Sequence, residues 1–116
     1  MTQTDILKLV MVAGESSGDQ LAAVLLQGAQ SHYTQVQSAG IVGTAMQAQG
    51  AQPWWPAQSL AVRGYFEPIR HLPRILKMRS ELIQKTLSMR PDVFIGIDAP
   101  DFNLGVEAKL QARGVP

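Results

Sequence analysis

Residues 7–13, LKLVMVA, form an almost unbroken apolar run, the pattern of a strand covered on both faces in a parallel sheet. The polar stretch GESSGD follows at 14–19, and Leu21, Val24, Leu25 and Ala29 then recur at helical spacing through residues 20–30. The order is strand, glycine loop, helix. Residues 37–42 (QSAGIV) predict a second strand, and 44–49 predict a short helix that Gly50 ends. Pro53-Trp54-Trp55-Pro56 is expected to interrupt any regular element, and Leu60-Ala61-Val62 is a short apolar piece closed by Gly64. A longer helix is predicted over about 73–89, with Ile75, Leu76, Leu82, Ile83 and Leu87 as its apolar stripe. Pro91 stops it, residues 92–97 predict another buried strand, and 103–113 predict a helix carrying Leu104, Val106 and Leu110.

Strands alternating with helices predict an α/β fold, a Rossmann-like, doubly wound parallel sheet. Only three strands are convincing, and Gly114-Val115-Pro116 falls where such a pattern would begin its next one. The expectation is the opening portion of a larger protein. No internal repeat or low-complexity segment is visible.

A chain of 116 residues makes one domain at most, burying roughly two-thirds of its unfolded surface. The net charge of +1 is too small for a general attraction to nucleic acid or membrane. With no cysteine, disulfides and thiolate chemistry are excluded; His32 and His71 stand far apart without HExxH spacing, so no metal site is expected. The N-terminus lacks the features of a signal peptide, and no uncharged apolar run approaches the roughly 20 residues of a membrane span, so a cytoplasmic chain is expected.

Three features could carry chemistry. The first is the loop Gly14-Glu15-Ser16-Ser17-Gly18-Asp19, where glycines permit a tight turn and the next helix offers free N–H groups. It has neither the GK[ST] of a P-loop nor the third glycine of GxGxxG, and its two acids suit sugar hydroxyls better than a pyrophosphate. The plainer alternative is a helix start capped by Ser16, Ser17 or Asp19. The second feature is basic: Arg63, Arg70, Arg74, Lys77, Arg79, Lys85 and Arg90 are seven of the ten Lys and Arg residues, all between 63 and 90. Arg70, Arg74 and Lys77 share a helical face near Phe66, Ile69, Leu72, Ile75 and Leu76, a combination suited to lying on anionic lipid, although pattern alone favours an ordinary amphipathic helix with a solvated basic face. The third is GIDAPDFN at 96–103, which sets Asp98 at a strand's carboxyl end, where open α/β sheets bind ligands. Asp101 is better placed to cap the following helix, which leaves Asp98 for positioning or deprotonating a hydroxyl.

Together VAGESSGD (12–19), GIVGTAMQAQG (40–50), LAVRGYFEPIRHLPRIL (60–76) and RPDVFIGIDAPDFN (90–103) resemble the lipid-A-disaccharide synthase family, in its order and over essentially the whole chain. The resemblance implies that 1–116 is a partial N-terminal, acceptor-side lobe of a glycosyltransferase of the two-lobed B type (GT-B), with the donor lobe outside this chain. It implies transfer of diacylglucosamine from UDP-diacylglucosamine to diacylglucosamine 1-phosphate, at the cytoplasmic face of the inner membrane and with no cofactor or metal. Asp98 matches the family's proposed general base. Gly14, Glu15, Ser17, Gly18 and Asp19 would line the acceptor site. Phe66, Ile69, Arg70, Leu72, Arg74, Ile75 and Leu76 would meet acyl chains or the anionic membrane surface. A homo-oligomer of the longer protein is compatible with the resemblance; nucleic acid is not an expected partner. Thr44-Ala45 stands where Pro-Arg is usual, Arg63 where Met is usual, and Pro68 and Pro73 lie in a segment that is normally a smoother helix. The 116 residues alone are expected to be inactive. The competing readings are a truncated, non-catalytic α/β module that binds lipid or a partner chain, and a nucleotide-binding protein of flavodoxin or Rossmann type.

Overall fold

The computed structural model describes residues 6–14, 16–56, 68–97 and 100–116, with side chains omitted for 68–72 and 100–102. Four strands and four helices alternate: β1 (Ile6–Val12), α1 (Ser16–Gln30), β2 (Gln35–Val42), α2 (Thr44–Ala48), β3 (Gln52–Pro56), α3 (Pro68–Met89), β4 (Val93–Gly96) and α4 (Pro100–Ala112). All strand pairs are parallel and the sheet order is β3-β2-β1-β4. The chain therefore steps outward from β1 through β2 to β3, then crosses back to lay β4 on the other side of β1.

Strand alternation divides the core between the two faces of the sheet. Leu9, Met11 and Ala13 pack with Ala22 and Leu26 of α1 and Met46 of α2. Val10 and Val12 point the other way, where they meet Phe94, Met78 and Leu82 of α3, and Val106 and Leu110 of α4. This two-sided cover explains why residues 7–13 carry no polar alternation. Asp92 closes the start of β1: its N–H donates to the Lys8 carbonyl at 2.8 Å and its Oδ2 accepts from the Lys8 N–H at 2.8 Å.

Several expectations need correction. The sheet has four strands rather than three, because Pro53-Trp54-Trp55-Pro56 builds β3 instead of interrupting the chain. Its prolines are tolerated because β3 is an edge strand, whose outward N–H groups need no ladder partner. The register slips between Gly40↔Pro53 and Ile41↔Trp55, leaving Trp54 as an extra residue. That bulge lets two consecutive tryptophans pack on the same core, and Lys85 Nζ lies 5.5 Å from the Trp54 ring centroid.

The helices also differ from expectation. Helix α3 begins at Pro68, with Pro73 inside its second turn, so only its last sixteen or so residues have an uninterrupted donor ladder. In α1 the buried residues are Gly18, Asp19, Ala22 and Leu26, while Leu21 (64%), Val24 (64%) and Leu25 (44%) are exposed. Leu104 of α4 is likewise exposed, whereas Val106 and Leu110 are core. The apolar piece at 60–62 lies outside the described residues.

Gly40 meets the tightest backbone constraint. Its φ is +140° and a Cβ there would sit 2.0 Å from the Met11 carbonyl oxygen on β1. Gly40→Ala is expected to cost about 3 kcal/mol or more, through strain and displacement of β1 from β2. Urea unfolding measures it; a cost below about 1 kcal/mol would contradict the register described.

Candidate functional site

In a doubly wound sheet the ligand crevice opens at the carboxyl ends of the strands, where the chain reverses its direction of travel across the sheet. Here that point lies between β1 and β4. The strand ends are bound together by Ala13 N–H to the Ile41 carbonyl (2.9 Å) and Ile97 N–H to the Val12 carbonyl (3.0 Å). This edge carries the glycine loop after β1, the Gly43 turn after β2, and the segment after β4 that leads into Asp98.

Residues of the first motif fall into two sets. Gly14 and Gly18 are buried, while Ser16 and Ser17 are exposed at the first turn of α1. Ser17 is thus exposed at this edge, whereas both glycines are enclosed. Glu15 and Asp98 lie outside the described residues.

Asp19 does something the local sequence does not announce. It is 5% exposed and caps α2, not the helix that contains it. Its Oδ1 accepts from Gly43 N–H at 3.1 Å and Met46 N–H at 2.9 Å, and its Oδ2 accepts from Ala45 N–H at 2.9 Å. These donors belong to the first turn of a helix, which has no internal acceptors for them. Bonds of this kind to a charged acceptor are worth about 1.5–3 kcal/mol each, which is how a buried carboxylate becomes tolerable. The signal was present in sequence only as Asp19 plus a helix start some 25 residues later, and nothing local joins the two.

The end of β4 shows another close fit. A Cβ on Gly96 would lie 2.6 Å from Asn103 Cγ, so the buried Asn103 side chain rests directly on the Gly96 backbone. The glycine and the asparagine of GIDAPDFN thus bracket the segment that contains Asp98.

The basic segment does not form one uniform patch. Arg74, Lys77 and Leu76 (43% exposed) are at the surface, whereas Ile75 is half-buried against the core. Arg79 lies across Gly105 of α4, with Nη1 2.8 Å from where a Cβ would be, and Lys85 turns to Trp54. Phe66 lies outside the described residues, and Ile69, Arg70 and Leu72 are described only as backbone of α3. Among the described residues no helix is long and apolar enough to cross a membrane.

A sequence model of the lipid-A-disaccharide synthetase family matches residues 9–116. The chain belongs to this family. Lipid-A-disaccharide synthase from Chromobacterium violaceum is 52% identical over 110 residues, covering 95% of this chain and 28% of that protein. The proteins of the same name from Verminephrobacter eiseniae and Xanthomonas campestris pv. campestris are each 50% identical, across 94% and 93% of this chain. The chain spans about a quarter of the length of these relatives. Among lipid-A-disaccharide synthases, then, it corresponds to one portion of a longer chain.

The Asp19 clamp also bears on position 44, where the resemblance leads one to expect a proline. Asp19 takes the N–H groups of Gly43, Ala45 and Met46 but not that of Thr44, and Gly43 is extended at φ −98°, ψ −172°. Both conditions admit a proline at the first helical position. Thr44→Pro is expected to leave stability unchanged or raise it by about 0.4–1 kcal/mol. Thermal unfolding checks this; a lower melting temperature would mean that the turn is not built as described.

Proposed function

We propose that this chain is the acceptor-side lobe of a GT-B glycosyltransferase, a lipid-A-disaccharide synthase. The full-length protein would transfer diacylglucosamine from its UDP conjugate to diacylglucosamine 1-phosphate. The observation that carries the reading is the family match across 9–116, and the motifs within it that lead to adjacent strand ends support it. The donor site belongs to the other lobe, so the 116-residue chain alone is expected to be inactive.

In this reading the acceptor sugar lies at the carboxyl ends of β1 and β4. Glu15 and Ser17 contact its hydroxyls, and Gly14 and Gly18 allow the backbone to come close. Asp98 removes the proton from the acceptor's 6-hydroxyl as that oxygen attacks the anomeric carbon of the donor. The new C–O bond forms as the bond from that carbon to the UDP phosphate oxygen breaks, and UDP departs with the electron pair. The proton rests on Asp98 until solvent takes it. Phosphate on the acceptor suits the cations of 63–90.

Both substrates carry acyl chains and must be drawn from a bilayer. Phe66, Ile69, Arg70, Leu72, Arg74 and Leu76 would meet the anionic inner-membrane surface, on the cytoplasmic side, with Ile75 anchoring the helix behind them. The exposure of Leu76 beside Arg74 supports this.

Asp98→Asn in the full-length protein is expected to lower transfer by about 10²–10⁴-fold, the range for loss of a general base. Binding to vesicles containing anionic lipid should stay unchanged. Radiolabelled-donor transfer and vesicle sedimentation measure the two, and undiminished turnover would remove Asp98 from the chemistry. Arg74→Glu combined with Leu76→Asp should do the reverse, reducing sedimentation with anionic vesicles several-fold. Sedimentation equal to that of the unaltered protein would place the membrane contact elsewhere.

A further inference from the structure

We infer that Asp19 is a positioning residue: it makes the Gly43-Thr44-Ala45 turn a fixed wall of the acceptor site and acts on the sugar only through that turn. This rests on the proposed function above, which places the acceptor at the same sheet edge.

Asp19 is 5% exposed, and its two oxygens already accept three backbone N–H groups at 2.9–3.1 Å. A group so committed and so enclosed is poorly placed to receive sugar hydroxyls. The turn it holds has little internal support: α2 is five residues long, with the Gln47 N–H donating to the Gly43 carbonyl inside it, and the Gln30 side-chain amide of α1 reaches only its far end, donating to the Gln49 carbonyl at 2.7 Å. Such a short helix has little stability of its own. Asp19 stands directly after Ser16, Ser17 and Gly18, so any shift of α1 is passed to the turn. Thr44, the exposed residue at the head of α2, is thereby fixed relative to Ser17.

The joint is sterically matched as well as hydrogen-bonded. A Cβ on Gly43 would lie 2.4 Å from Asp19 Cγ and 2.5 Å from Oδ2. Gly43 itself has φ −98°, a value any residue adopts, so it is the carboxylate, holding the three nearest atoms, that crowds a side chain there. This gives a test in which the two residues report on each other.

A double-mutant cycle with Asp19→Ala, Gly43→Ala and both together, in the full-length protein, reads melting temperature and transfer kinetics for acceptor and donor separately. Each single change is expected to raise the acceptor KM about tenfold, lower turnover about ten- to a hundredfold and leave the donor KM unchanged. Gly43→Ala should then have no further effect in the Asp19→Ala background, where the obstructing carboxylate is gone. Asp19→Asn keeps an oxygen for Gly43 and Met46 but sets an NH2 against Ala45 N–H, and should fall between wild type and Asp19→Ala. It also keeps the test usable if the alanine variants fold poorly.

Additive losses would overturn the inference, because they would mean that Asp19 and Gly43 act independently. Coupled melting temperatures with an unchanged acceptor KM would also overturn it, since the turn would then be no part of the site. Failure of the Asp98→Asn prediction would remove the general base and leave this cycle standing, so the two ideas fail separately.

Discussion

One buried carboxylate holds the two loops at the carboxyl edge of this sheet in a common frame. Asp19 sits at the start of α1, reaches across to α2 and satisfies three N–H groups that the short helix cannot satisfy itself. Without it α2 would be held by the burial of Met46 and by the Gln30 amide on the Gln49 carbonyl at its far end, and its first turn would lose three hydrogen bonds. Gly43 is the necessary counterpart, because the same carboxylate occupies the space where its side chain would be. The glycine loop and the turn after β2 are thus one mechanical unit, although 24 residues separate Asp19 from Gly43.

The rest of the fold sets that unit at the carboxyl ends of the strands. Parallel strands demand cover on both faces, and the crossover from β3 back to β4 supplies it, with α1 and α2 on one side and α3 and α4 on the other. The same crossover opens the sheet between the ends of β1 and β4. Packing is closest at three glycines: Gly40 against Met11, Gly43 against Asp19, and Gly96 against Asn103. Two of these lie at the carboxyl edge, where side chains stack on bare backbone and so set where the loops beyond them start.

Much of this was legible in the residues. Unbroken apolar runs gave β1 and β4, glycine and proline punctuation gave the helix ends, and the four motifs gave the family. The failures have physical causes. Proline disfavours a strand only where an N–H is needed, and β3 is an edge, so PWWP could be a strand. Helical spacing alone cannot say which of two apolar stripes faces inward, and on α1 it was Ala22 and Leu26 rather than Leu21 and Leu25. Arg79 and Lys85 belong to the basic run by sequence, yet Arg79 lies across Gly105 of α4 and Lys85 reaches the Trp54 ring of β3. The role of Asp19 depends on a long-range contact that no local pattern encodes.

The central claim is that the acceptor binds across the carboxyl ends of β1, β2 and β4. Hydrogen–deuterium exchange of the full-length protein, with and without a short-chain diacylglucosamine 1-phosphate, tests it most directly. The account expects slowed exchange in peptides covering 13–19, 43–46 and 97–104, with residues 35–37 and 52–54 unchanged. Protection confined to the opposite edge, at 35–37 and 52–54, would contradict it.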